Sequence, residues 1–248
     1  MHETGVTNHA SRLSAMDASH LPQVTHDKNA LDFAARYAPI ILADEREPFS
    51  IVAVGYEIFD AETDSPSFVP RRRVEWSSVG YPATRAIEYA LWWDWDIGHL
   101  YELEHAWTFV GADGRVVAVE ASWHGMHGQA EIDGKPVVEG THPVLLAQPG
   151  KHAMAVNIEP FNEIREWAEL EAGPEAGKGG VLETELFRGR MPKTPQHDAR
   201  VTAYLKRLAF IPSWKFTKRF LITREMLVPW QTLEAWIPAR VAWWLGRI

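Results

Sequence analysis

The sequence of 248 residues contains no cysteine. This absence excludes disulfide bonds, thiolate nucleophiles, and zinc or iron–sulfur sites with cysteine ligands. Any metal ion must therefore be held by histidine, carboxylate or backbone oxygen atoms. The chain also lacks a run of eighteen apolar residues, which excludes an ordinary transmembrane helix. Its amino-terminal stretch has no apolar segment of the kind a signal peptide needs, so we expect a cytoplasmic protein.

Basic residues are in the minority, since 25 lysines and arginines stand against 33 acids and give a net charge of −8. This balance argues against a protein that coats nucleic acid, and we expect no nucleic-acid partner. The basic triplet Arg71-Arg72-Arg73 is expected to lie on a solvated loop. Twelve tryptophans suit a core, a sugar platform and a membrane interface alike, so their number alone selects no function.

Hydrophobic patterning divides the chain into three parts. Residues 1–28 lack periodicity and are expected to form a loose tail. Residues 29–158 are mostly β-branched and aromatic runs separated by turn signals, which predicts a core of antiparallel strands. Residues 159–248 show helical periods, with an interruption expected at Pro238, and predict a helical extension packed on the core. The expected fold is mainly β, an antiparallel β-sandwich with helices appended at the carboxyl end.

The stretch over residues 88–107 carries the residues best suited to chemistry. Glu102 and Glu104 fall on one face of a predicted strand, with β-carbons about 7 Å apart. Asp96 and His99 can return over that face through a short loop. Carboxylates placed so closely repel one another unless water, a proton or a cation intervenes.

Three carboxylates and one imidazole that converge on a point suit Mg²⁺, Ca²⁺ or Mn²⁺, and zinc is less favoured by so many oxygen atoms. The same spacing equally fits solvent-facing acids on an edge strand that binds no ion. The pattern by itself leaves both interpretations open.

Histidines near this stretch extend the candidate site. Pairing across a turn at residues 111–114 predicts that Glu120 faces His105 and that His124 lies near the carboxylates. His124 would then act as a further ligand or general base, although an ordinary turn histidine fits the pattern too. His105 and His152 alternate with apolar residues and are expected to be core histidines, with His152 on a strand near residue 154.

Four short motifs occur in the order known from one family. Residues 98–104 (GHLYELE), ahead of an aromatic strand, are similar to the heptapeptide GHRHDWE, and residues 122–125 (SWHG) to the element SAHG. Residues 141–143 (THP) and 150–153 (GKHA) are similar to its segment THP…HA. Over roughly residues 37–156 the sequence therefore resembles the necrosis- and ethylene-inducing peptide family.

The first residues of that region, 37–49, are closer to the vacuolar protein sorting-associated 62-like relatives of the family. The resemblance implies an antiparallel β-sandwich with a divalent ion at one end. Carried over position by position, it assigns the ion to Asp96, His99, Glu102 and Glu104.

Three functions are compatible with these features. The first is a binding protein in which the ion and the tryptophans at positions 92, 93, 95 and 123 recognise a small molecule, a sugar or a lipid head group. The second is a metal-dependent hydrolase of phosphoesters or glycosides, with His124 and Glu102 as catalytic residues. The third is a membrane-surface or partner-binding protein that uses the basic, tryptophan-rich carboxyl region. The oligomeric state is left open.

Overall fold

The computed structural model describes residues 27–248. The tail predicted over residues 1–28 thus lies outside the described residues, apart from Asp27, which caps the first helix, and Lys28, which begins it. The helices are α1 (Lys28–Tyr37), α2 (Glu159–Glu163), α3 (Arg165–Ala172), α4 (Pro195–Leu205) and α5 (Trp230–Leu245). The strands are β1 (Ile40–Ala43), β2 (Ile51–Phe59), β3 (Thr63–Asp64), β4 (Arg73–Val74), β5 (Ala83–Trp95), β6 (His99–Gly111), β7 (Val116–Trp123), β8 (Met126–Gln129), β9 (Glu131–Ile132), β10 (Lys135–Pro136), β11 (Val138–Glu139), β12 (His142–Ala147), β13 (Met154–Ala155), β14 (Gly180–Val181), β15 (Lys218–Leu221) and β16 (Leu227–Pro229). The prediction of a mainly β fold with helices toward the carboxyl end is confirmed.

The larger sheet has the strand order β16-β2-β5-β6-β7-β8, and β14 joins it beside β6. Its centre is the long antiparallel hairpin of β5 and β6, which pairs Ala83 with Gly111 at one end and Trp95 with Leu100 at the other. β14 and β16 pair in parallel with β6 and β2. The region after residue 158 therefore contributes strands to this sheet as well as helices around it.

The second sheet has the order β11-β12-β1-β15, with β13 paired to β12. β1 runs parallel to β12 and antiparallel to β15. Ile41 and Leu145 of this sheet belong to the same hydrophobic core as Trp93 of the larger sheet. The two sheets are therefore held together by burial of their apolar faces.

The register between β6 and β7 differs from the expected one. Glu120 lies opposite Trp107, not His105. A bulge between Phe109 and Val110 accounts for one residue of this two-residue offset, since Val110 pairs with Val116 whereas Phe109 pairs with Ala118. His105 instead stacks on Trp107, with ring centroids 5.6 Å apart and planes inclined by 15°.

The strand expected around His152 is limited to Met154–Ala155. The backbone N–H groups of Lys151 and His152 donate to the carbonyl oxygen of Gln148 at 3.2 and 2.9 Å, so the chain turns here. Gly150 and His152 have φ values of 73° and 64°, in the left-handed region. This turn carries the two side chains toward the loop between β5 and β6.

Arg72 is buried, contrary to the expectation of a solvated basic triplet. Its side chain is 3% exposed, pairs with Glu120, and holds its guanidinium 3.7 Å from the ring centroid of Trp107. The Tyr81 hydroxyl donates to the same Glu120 carboxylate at 3.0 Å. A buried carboxylate thus explains why one arginine of the three leaves the surface, whereas the side chain of Arg71 is 88% exposed.

Helix α5 packs against the larger sheet and continues through Pro238, so the interruption expected there is absent from it. The helix approaches β2 closely at Gly55, where a Cβ atom would lie 3.0 Å from both Leu233 and Trp230. Of the tryptophans after residue 206, Trp230 and Trp244 are buried in the core. Among residues 27–248, no helix is long and apolar enough to cross a membrane.

Candidate metal centre

The tight turn between β5 and β6 places two of the predicted ligands side by side. The N–H of Asp96 donates to the carbonyl oxygen of His99 at 3.0 Å, and the N–H of His99 donates to the carbonyl oxygen of Asp96 at 3.3 Å. The Gly98 N–H donates to Asp96 Oδ1 at 2.6 Å. The short loop therefore returns the carboxylate and the imidazole over the start of β6, as the sequence predicts.

Asp96, His99 and Glu102 each bring one ligand atom within 4.8 Å of the others. His99 Nε2 lies 3.6 Å from Asp96 Oδ1 and 3.9 Å from Glu102 Oε2. Two ligands at about 2.0–2.6 Å from a shared cation lie about 2.8–3.7 Å apart at right angles and further apart at wider angles. The spacing of these three groups therefore suits a cation between them.

The hydrogen bonding of His99 prepares its ring for a metal ion. His99 Nδ1 lies 2.8 Å from the carbonyl oxygen of Tyr101, which only accepts, so Nδ1 carries the proton. Nε2 is then an unprotonated nitrogen that faces the two carboxylates. Burial lowers the pKa of His99 although the Asp96 carboxylate opposes the shift, and the neutral ring is the form that binds metals.

Asp96 is fully buried, and its two oxygen atoms differ. Oδ1 accepts hydrogen bonds from the Gly98 N–H and from Lys151 Nζ, the latter at 2.8 Å. Oδ2 has no hydrogen-bond partner among the described residues. Burial acts to raise the pKa of Asp96, but the ammonium group of Lys151 and its hydrogen bond hold it below its usual value. A buried, ionised oxygen without a partner is a strong candidate for a cation ligand.

Glu102 and Glu104 are close enough to disfavour their joint ionisation. Burial raises the pKa of Glu102 well above its usual value, and the charges of Glu104 and Asp96 raise it further. Burial raises the pKa of Glu104 to about 7, although a hydrogen bond from Ser122 opposes the shift. A cation in this cluster would relieve the repulsion between the carboxylates. The electrostatics of the cluster therefore favour a cation, as the spacing of the ligand atoms does.

Glu104 stands apart from the triad in its bonding. Its Oε2 accepts a hydrogen bond from the hydroxyl of Ser122, whose oxygen in turn accepts from the His105 N–H at 2.6 Å. The triad of ligand atoms forms without it. Glu104 nevertheless lines the same cavity, so its assignment as a ligand stays a prediction.

A cavity of about 270 Å³ opens beside these groups. His124, the predicted general base, lies on its wall with Glu102. His124 Nε2 is 2.8 Å from Gln148 Oε1, an acceptor, so Nε2 carries the proton and Nδ1 is the basic nitrogen. The cavity is lined by Ser67, Phe68, Val69, His99, Tyr101, Glu102, Leu103, Glu104, His105, His124, Gly125, Lys151, Leu182, Thr184 and Leu186.

Two of the five non-glycine residues with positive φ among residues 27–248 line this cavity. Tyr101, His124 and His152 all have positive φ values, of 62°, 47° and 64°, which residues with side chains adopt at a cost. Tyr101 and His124 line the cavity, and His152 stacks on Trp93 at a centroid distance of 4.5 Å. Strain of this kind persists where the surrounding structure holds it, and it is common at functional sites.

Lys151 was not among the predicted site residues, yet its ammonium group lies in the acidic cluster. The chain reversal at Pro149-Gly150 is the sequence signal that could have pointed to it, because such a turn ends a strand and redirects the next side chains. The strand expected over this segment would instead have left Lys151 on extended backbone.

The tryptophans expected to surround the ion as a platform are mostly core residues. Trp92, Trp93 and Trp95 are at most 4% exposed. Trp92 stacks on Tyr101 at a centroid distance of 4.8 Å. Trp123 is half-buried and stacks on Phe161. The rings at positions 92, 93 and 95 are packed in the core next to the site. They are therefore not an exposed aromatic surface for a ligand.

Comparison with known proteins gives a distant likeness. No protein-family model and no curated protein matches the chain. The crystal structure of Necrosis and Ethylene inducing Protein 2, from the causal agent of cocoa's Witches Broom disease, is similar at 18% identity and a TM-score of 0.34, over 57% of this chain and 74% of that one. A triple mutant of NLPPya is similar at 16% identity and a TM-score of 0.33, over 55% of this chain and 77% of that one. Neither concerns the vacuolar protein sorting-associated 62-like relatives, so that link stays a prediction.

Proposed function

We propose that the protein binds a divalent cation through Asp96, His99 and Glu102, and that the bound ion recognises a sugar or a phosphate-bearing head group. The observation that carries this proposal is the convergence of three ligand atoms within 4.8 Å. The unprotonated Nε2 of His99 and the Oδ2 of Asp96 support it, because neither accepts a hydrogen bond from the described residues and Oδ2 is also buried.

The donor atoms favour a hard cation. Two carboxylates and one imidazole suit Mg²⁺, Ca²⁺ or Mn²⁺, and zinc is less favoured. Glu104 is the proposed fourth ligand because its carboxylate lines the same cavity. Ions of this class keep several positions for water or for ligand oxygen atoms, which is how hydroxyl and phosphate groups would be bound.

The cavity has two kinds of wall. Glu102, Glu104, His124 and Lys151 are on the polar side, while Phe68, Leu182 and Leu186 form an apolar side. Such a pairing suits a ligand with oxygen atoms at one end and carbon surface at the other. A sugar ring or a head group has this character.

A hydrolase is the second candidate, and one observation favours it. His124 Nδ1 has no hydrogen-bond partner among the described residues, and the ring lies on the wall of the cavity that also holds Glu102. A base so placed can take a proton from water bound to the ion. The alternative of an anchor at the carboxyl end gains no comparable support, since Trp230 and Trp244 are core residues.

The metal proposal is tested by isothermal titration calorimetry of the EDTA-treated chain with Mg²⁺, Ca²⁺ and Mn²⁺. We expect saturable binding that Asp96→Asn and His99→Ala each weaken by at least about tenfold. Asp133→Asn is the matched control, because this exposed turn residue has a φ of 52°, which asparagine tolerates. Equal affinities in all four proteins would place the ion elsewhere, and no heat of binding in the unaltered chain would refute the proposal.

The two functions are separated by His124→Ala. Loss of turnover on a panel of phosphoesters and glycosides, with metal binding unchanged, would identify a hydrolase. Metal-dependent binding to a glycan array or to phosphatidylinositol vesicles that survives the substitution, with no turnover in either protein, would identify the binding protein that we favour.

A further inference from the structure

Lys151 lies in the acidic cluster with little freedom to leave it. Its side chain is 10% exposed, and its backbone belongs to the turn closed by Gln148. The Gly150 N–H donates to Glu47 Oε2 at 2.7 Å, and the Ile97 N–H donates to the carbonyl oxygen of Gly150 at 2.8 Å. Two loops from different sheets are thereby joined, and the lysine is held over Asp96.

The ammonium group takes a position within reach of the proposed ligands. Lys151 Nζ is 2.8 Å from Asp96 Oδ1. A Cβ atom added at Gly98 would lie 3.3 Å from the same Nζ. Glu102 and Lys151 line the same cavity. The 2.8 Å contact between Lys151 Nζ and the buried Asp96 carboxylate is an ion pair, so the ammonium group places one positive charge inside the acidic cluster.

We propose that Lys151 is a built-in cation that competes with the divalent ion for Asp96 and so sets the affinity of the metal centre. This inference rests on the proposed function, since it concerns the same three ligands. The ammonium group neutralises part of the cluster when no ion is bound. A divalent ion at the triad must then either repel this neighbouring charge or displace it toward the cavity.

The charge of Lys151 should weaken the binding of a divalent ion. A divalent ion bound next to Asp96 meets a positive charge that already contacts the same carboxylate, and charges a few ångströms apart interact strongly in a buried site. Replacement of Lys151 by an uncharged residue removes this repulsion. It also leaves the carboxylates of the cluster without the ammonium group that partly neutralises them. Both changes favour the ion, so Lys151→Met should bind it at least about tenfold more tightly than the unaltered chain.

The experiment is a titration with Mn²⁺ alone, followed by calorimetry and by the electron paramagnetic resonance of free Mn²⁺. It compares the unaltered chain with Lys151→Met, Lys151→Arg and Lys178→Met. Arginine keeps the charge, and Lys178 is an exposed lysine whose side chain is 71% accessible. We expect tighter binding only in Lys151→Met, with an apo form that melts at a lower temperature and recovers when Mn²⁺ is added. Lys151→Gln replaces Lys151→Met if the latter does not fold.

The outcomes separate this inference from the metal proposal. If the unaltered chain binds Mn²⁺ and Lys151→Met binds it equally or more weakly, the proposed competition is wrong and the proposed metal centre is supported. Binding in the unaltered chain that Lys151→Met tightens, and that Lys151→Arg and Lys178→Met leave unchanged, would support the competition. Absence of Mn²⁺ binding in every protein would overturn both proposals.

Discussion

Gly150 lies against Ile97 so closely that no side chain fits between them. A Cβ atom at Gly150 would be 2.8 Å from Ile97 Cγ2, and the φ of Gly150 is 73°. The Ile97 N–H also donates to the carbonyl oxygen of Gly150. This contact joins the loop that carries Asp96 to the turn that carries Lys151, so it fixes the candidate metal centre.

Gly150→Ala should therefore destabilise the protein by about 2–4 kcal/mol, through the clash and the left-handed backbone together. Gly134→Ala is the matched control, because Gly134 has a φ of 70° but no atom within 4 Å of an added Cβ. That variant should lose only about 1–2 kcal/mol. Urea denaturation measures both, and equal losses would show that the contact with Ile97 carries no weight.

Replacement of Arg72 should be costly, whereas replacement of its neighbour should not. Arg72→Met leaves the Glu120 carboxylate in a largely buried position without its ion pair, which typically costs about 3–5 kcal/mol. Arg71→Met alters a side chain that is 88% exposed and should change the free energy of unfolding by less than about 0.5 kcal/mol. Similar values for the two variants, measured by urea denaturation, would contradict the buried position of Arg72.

The ion pair between Asp94 and Arg240 should anchor helix α5. Arg240 Nε and Nη2 donate to the two carboxylate oxygens at 2.9 and 2.7 Å, and both side chains are 2% exposed. Arg240→Met leaves a buried charge and should cost about 3–5 kcal/mol. The double variant with Asp94→Asn should lose less than the sum of the two single losses, because it removes the stranded charge. If thermal unfolding shows that the stability losses of the two single variants add up in the double variant, the two side chains do not interact as described.

Glu62 gives a prediction about acid stability. Its Oε1 accepts from the Ser77 hydroxyl and N–H at 2.6 Å each and from the Trp76 N–H at 2.8 Å. The hydrogen bonds from Ser77 and Trp76 lower the pKa of Glu62 to about 2, from a usual 4.5. A lowered pKa means that this stabilisation is present above about pH 4.5 and is lost as the pH falls toward 2.

Glu62→Gln should accordingly melt at a lower temperature than the unaltered chain at neutral pH. The difference in melting temperature between the two proteins should disappear as the pH falls from about 4.5 to 2. Thermal unfolding monitored by circular dichroism over this range measures it. A gap that stays constant down to pH 2 would refute the role given to the carboxylate.

Much of the sheet structure could be predicted from local sequence. The apolar runs of β2, β5 and β6 are long, and turn residues separate β6 from β7, so existence and order of these strands follow from pattern alone. The register of β6 on β7 does not follow, because a bulge near Val110 adds a residue that no propensity signals. Helix α5 continues past Pro238 because packing on the sheet outweighs the local preference.

The candidate site was predictable to the extent that its residues are close in sequence. Asp96, His99 and Glu102 are brought together by one tight turn, which spacing alone can suggest. Lys151, which is 55 residues after Asp96, joins them through a turn whose position depends on tertiary contacts of Gly150. Long-range contacts of this kind leave no periodic trace in the sequence.

A divalent cation between Asp96, His99 and Glu102 is the feature on which the proposed function depends. Its most direct test is a crystal structure of the chain grown with Mn²⁺, with data collected for anomalous scattering. We expect one strong anomalous peak about 2.0–2.6 Å from a carboxylate oxygen of Asp96, from His99 Nε2 and from a carboxylate oxygen of Glu102. A map without a peak there, or with its peak at another group of residues, would contradict the account.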